Sequence, residues 1–75
     1  MTSTIWFTFA TTHHALWAEE VAHEAGVPAE VVPAPAGARA RCNLALQTFP
    51  EEEGALEIAL RRAEVPFAKF TAEPR

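Results

Sequence analysis

The sequence predicts an α+β fold, one four-stranded antiparallel sheet with two helices on one face, in the order βαββαβ. Three observations predict it. Ile5, Phe7 and Phe9 alternate with Thr4, Trp6 and Thr8, which is the period-two pattern of a strand. Two later stretches carry small and aliphatic residues at i, i+3, i+4 spacing, the signature of helices with one buried face. Gly26, Pro28, Pro33, Pro35, Gly37, Pro50 and Pro66 cut the rest into short runs of strand length.

The first strand ends at Ala10. Thr11 and Thr12 supply N-cap oxygens for a helix through Ala25, and Gly26 stands just past its end with Pro28 soon after. On that helix Ala15, Ala18, Val21, Ala22 and Ala25 share the face expected on the sheet, Glu19, Glu20, His23 and Glu24 point away, and Trp17 falls at the margin. Such small residues suit close packing. Ala29 to Val32 reads as an edge strand, because Pro33 has no N–H to give a ladder. Pro33 to Arg41 is then a Pro/Gly-punctuated loop, longer than a tight hairpin needs and the favoured place for local function.

Asn43 to Phe49 resumes the strand pattern, with Leu44 and Leu46 on one face and Ala45 and Gln47 on the other. Pro50 at the first helical position and Glu51, Glu52 and Glu53 open a second helix, where acidic side chains suit the positive end of the helix dipole better than they suit a cation site. Leu56, Ala59, Leu60 and Ala63 form its apolar stripe, and Glu57 and Arg61 make a favourable i, i+4 pair. Pro66 to Thr71 is the last strand, and residues 72–75 are expected as a frayed tail of one domain spanning 1–75.

Adjacency and handedness rules fold this order most readily into a ferredoxin-like split βαβ with sheet order 4-1-3-2. Strands one and three are then central antiparallel neighbours. The start of strand three lies beside the end of strand one, which places Cys42 near Thr11, Thr12, His13 and His14 at the start of the first helix.

Composition narrows the function. The 75 residues are 49% hydrophobic and 21% charged, a folded rather than disordered balance. A net charge of −4 argues against nucleic-acid partners. A single cysteine closes no internal disulfide, and Met1 to Thr4 bring no basic residue ahead of Ile5, so the chain reads as cytoplasmic, with no membrane partner and no signal peptide. Its size argues against a catalytic domain with a deep cleft, and no cofactor is expected. An acylphosphatase-like hydrolase is disfavoured, because the loop after strand one lacks an arginine to cradle a phosphate.

Cys42 is the candidate reactive group. Arg39 and Arg41 flank it in sequence, and Thr12 and His13 open the helix beside it, so a thiolate there is favoured by positive charge and by the helix dipole. Packing as a small buried hydrophobe is the competing role. A metal-binding module is a second alternative, using Cys42 with His13 or His14. Adjacent helical residues point about 100° apart, however, which sets His14 toward the buried face and His13 away from it. His23 reads as surface. A third alternative is an interaction module that forms a homodimer through the sheet face left bare by the helices, around Trp6 with Ala45 and Phe49.

The chain resembles the selenium/sulfur carrier protein-like family. Phe9 to Glu19 is similar to that family's strand followed by a Ser/Thr-x-His-x-Ala-Leu helix start, Gly26 and Val32-Pro33-Ala34-Pro35 match its glycine-ended helix and Pro-x-Pro, and Cys42-Asn43-Leu44-Ala45-Leu46 matches in part its Cys-Gly strand. Four positions depart from the pattern: Asn43 replaces the glycine, Ala36 replaces a basic residue after Pro-x-Pro, and Arg39 and Arg41 lie where serines are usual. The resemblance implies a carrier in which Cys42 accepts sulfur or selenium from a donor protein as a persulfide or selenosulfide and passes it to an acceptor.

Overall fold

The computed structural model describes residues 4–35, 37 and 43–72. Strand β1 (Thr4–Thr8) leads into helix α1 (Thr12–Ala25), followed by β2 (Glu30–Pro33), β3 (Leu44–Thr48), a 3₁₀ turn (Pro50–Glu52), helix α2 (Glu53–Arg62) and β4 (Ala68–Ala72). The sheet order is β2-β3-β1-β4, with every neighbouring pair antiparallel. This is the ferredoxin-like arrangement expected from the order of elements.

Each boundary has a local cause. Thr11 is extended, and its hydroxyl accepts the His14 backbone N–H at 3.1 Å, which caps α1. Gly26 takes the left-handed conformation at φ 74°, from which Val27 N–H closes back onto Ala22 at 2.9 Å to end the helix. Pro50 starts a 3₁₀ turn before the α-helix proper begins at Glu53, so the acidic run straddles two helix types. Pro33 is the last residue of the edge strand β2, where its missing N–H costs no ladder bond.

Ile5, Phe7 and Leu46 face the helices and meet Ala15, Ala18, Ala22, Leu56 and Leu60 in one core. The three alanines let α1 lie close on the sheet. Phe7, Leu46, Leu56 and Leu60 are fully buried, each contributing roughly 1.5–3 kcal/mol. Phe67, just before β4, adds its ring 5.1 Å from that of Phe7. Thr48, buried on the same side, donates to the Pro28 carbonyl at 2.7 Å and ties the α1–β2 connection to β3.

Three details differ from expectation. Ala25 is exposed, because α1 ends there and leaves the sheet. Ala72 is no frayed residue but pairs with Thr4 at the end of β4. The strand itself starts at Ala68 rather than Pro66, since Pro66 has no N–H for the ladder and Phe67 turns inward to the core.

Candidate functional site

The register settles how the strand ends meet. Thr8 of β1 stands opposite Ala45 of β3, and on the other side of β3, Pro33 stands opposite Leu44. The start of β3 therefore lies between the end of β1, which feeds α1, and the end of β2. Beyond β2, the Ala34 N–H donates to the Asn43 carbonyl at 2.7 Å, and this bond closes the base of the loop between them. Asn43 is exposed and directly follows Cys42 in the chain. Cys42, Arg39 and Arg41 lie outside the described residues.

Beyond the end of β1, the start of α1 exposes Thr11, Thr12 and His13. The opening amides of a helix have no acceptor within it, so this end carries partial positive charge. No acidic side chain occupies the first turn of α1. His14 is half-buried and His13 exposed, as helical geometry anticipates. The His14 ring is held from two sides: Nδ1 lies 2.9 Å from the Thr11 hydroxyl, and its face stacks on Trp17 at 6.2 Å between centroids and 29° between planes. Among the described residues no group of three or more His, Cys, Asp or Glu side chains is gathered to hold a metal ion.

The sheet face away from the helices differs from its expected open form. Trp6 is half-buried there, with the Phe70 ring 5.8 Å away, while Phe49 is exposed. Thr8 and Ala45, which share that face, are buried. Gly37 of the β2–β3 loop is also on this side, where a Cβ would stand 3.6 Å from Phe70 Cζ. Phe70 is on β4, at the opposite edge from β2. The alternation of Ala68 to Ala72 carried this signal, since Phe70 falls on the Trp6 side, but no periodicity reveals what packs on it.

The expected Glu57–Arg61 pair is present, and the sequence reading missed that Lys69 enlarges it into an ion cluster. Lys69 faces the helices from β4 and donates to Glu53 and Glu57 of α2, both at 2.9 Å, while Glu57 accepts from Arg61 at 2.8 Å. The Arg61 guanidinium lies 5.5 Å from the Phe67 ring centre. The Arg61 hydrogen bond first, and that of Lys69 second, hold the Glu57 carboxyl below its usual pKa; the hydrogen bonds that Lys69 donates to Glu53 and then to Glu57 hold it above its own. This cluster clips β4 to α2.

No helix is long and apolar enough to cross a membrane among the described residues. No curated protein and no solved structure matches the chain significantly. A family model described as "Putative Se/S carrier protein-like" matches residues 5–71, from the second residue of β1 to the fourth of β4. The match takes in both helices, all four strands and the loop that ends in Cys42, and the chain belongs to that selenium/sulfur carrier-like family.

Proposed function

We propose that the chain is a sulfur or selenium carrier whose acceptor is Cys42, with Arg39, Arg41, Thr12 and His13 favouring its thiolate. Membership of the carrier-like family supports this, and the observation that carries it is the strand register: Asn43, one peptide bond beyond Cys42, lies at the start of β3 beside the end of β1, the strand that leads into the positive start of α1. The Cys42 thiolate attacks the outer sulfur of a donor persulfide. A new S–S bond forms at Cys42, the donor's S–S bond breaks, and the donor sulfur leaves as a thiolate with no net oxidation. A selenium atom in the outer position transfers in the same way. The chain catalyses no further reaction, and we place this chemistry in the cytoplasm, where a lone thiol is kept reduced.

Incubation with a cysteine desulfurase and cysteine, followed by intact mass, tests the reading. One added sulfur atom, lost on reduction and absent in Cys42→Ser, is expected. An unmodified Cys42, under conditions that charge another thiol carrier, contradicts it.

A further inference from the structure

Helix α1 presents a second surface beside the proposed acceptor. His13, Leu16, Trp17 and Glu20 follow one another at i, i+3, i+4, i+7 and line one shallow groove on the helix's outer side. Leu16 is 50% exposed and Trp17 38%, so the middle of this stripe is apolar and unburied. One end of the stripe is the first turn of α1, which follows β1, the neighbour of the strand that Asn43 precedes. Trp17 is not loose: its ring stacks on His14, whose other side is held by Thr11. A half-exposed tryptophan with a neighbouring ring to orient it is a side chain enriched among the energetic anchors of protein interfaces.

The charges around it select the occupant. Over Thr12–Ala25 the helix has Glu19, Glu20 and Glu24, all exposed, and neither lysine nor arginine. We propose that this stripe is the docking surface for the protein that delivers sulfur to Cys42, and that the delivering protein presents an apolar pocket for Trp17 and Leu16 rimmed by lysine or arginine. The inference rests on the carrier reading. Docking along α1 brings the partner's persulfide to the start of the same helix, while a small persulfide reaches the thiol without it. Opposite charge on the two surfaces raises the rate of encounter and makes it salt-dependent.

The test compares two donors. The wild type, Trp17→Ala and Glu20→Lys are each charged by a cysteine desulfurase with cysteine, and separately by glutathione persulfide; binding to the desulfurase is measured in parallel by calorimetry. Both sites are exposed, and circular dichroism with a urea melt confirms that the variants are folded. A loss of about tenfold or more in desulfurase binding and charging for Trp17→Ala, a smaller loss for Glu20→Lys that shrinks at high salt, and unchanged charging by glutathione persulfide are expected. Wild-type binding to the desulfurase that neither substitution weakens overturns the docking surface, and so does a wild type that binds no desulfurase. A Cys42 that glutathione persulfide fails to charge, in a chain that still binds desulfurase through Trp17, overturns the carrier reading and leaves the docking surface standing.

Discussion

Gly37 and Phe70 meet on the sheet face away from the helices: one belongs to the loop leaving the edge strand β2, the other to β4 at the opposite edge, and a Cβ on the glycine would stand 3.6 Å from the ring's Cζ. That separation is ordinary van der Waals contact. Space is therefore no obstacle to a Cβ at 37, but its φ of 96° is, because an L side chain clashes with its own backbone there. Gly37→Ala is expected to lower stability by about 1–2 kcal/mol in urea titration. Gly54→Ala, in α2 with nothing within 4 Å of its Cβ and no positive φ, is expected to raise it by up to about 1 kcal/mol. Equal effects at the two glycines would remove the backbone argument.

The close seat of α1 makes a second prediction. Ala15, Ala18 and Ala22 are buried against the sheet, and the core beneath them is filled by Phe7 and Leu46. Ala18→Leu has no room to enter and is expected to cost about 1–3 kcal/mol, or to push the helix outward. Leu56→Ala removes volume from the same core and is expected to cost about 2–5 kcal/mol. Near-neutral values for both would mean that the helix layer is not packed as described.

Helix capping supplies a third. Thr11→Ala deletes the acceptor of the His14 N–H and frees the imidazole that stacks on Trp17. A loss of about 1 kcal/mol is expected, with Thr11→Ser retaining most of it. Because Trp17 is then less restrained, its fluorescence should change in Thr11→Ala and not in Thr11→Ser. Identical spectra in all three chains would contradict the stacked arrangement.

The cluster that joins β4 to α2 predicts a pH dependence. Glu57 is held below its ordinary 4.5, so its contribution is present above that pH and is lost as the pH falls through the lower folded value. Lys69 is held above its ordinary 10.5, so its share is complete below that pH and is lost as the pH rises through the higher folded value. The stability difference between wild type and Glu57→Gln is expected to be constant from about pH 5 to 9 and to narrow on acidification below about pH 4. These groups are exposed, so the difference is small and falls with added salt. A gap that widens on acidification would reverse the sign and refute the assignment.

Much of this fold was legible because period and punctuation agree. The alternation from Thr4 to Phe9, the caps Thr11 and Gly26, and the stripe Ala15, Ala18 and Ala22 each point to one element, and their order leaves one natural sheet. What escaped the sequence was long-range and carried by single side chains. Lys69 reaches Glu53 and Glu57 across 16 and 12 positions, and Gly37 reaches Phe70 across the sheet. Ala45 looked solvent-facing by parity and is buried, because parity says which face a residue takes and not what lies on that face. The candidate site was legible only to its border: register puts the start of β3, which Asn43 precedes, beside the end of β1, and Cys42, Arg39 and Arg41 lie outside the described residues.

The carrier reading needs a thiolate at neutral pH, and the chain's one cysteine makes that measurable without mutagenesis. The rate of Cys42 alkylation by iodoacetamide, followed from pH 4 to 10, reports its titration. A midpoint well below the free-cysteine value of about 8.5 is expected, from the start of α1 and the arginines at 39 and 41. A midpoint at or above that value, or a thiol that reacts only in denaturant, would make Cys42 a packed side chain and contradict the account.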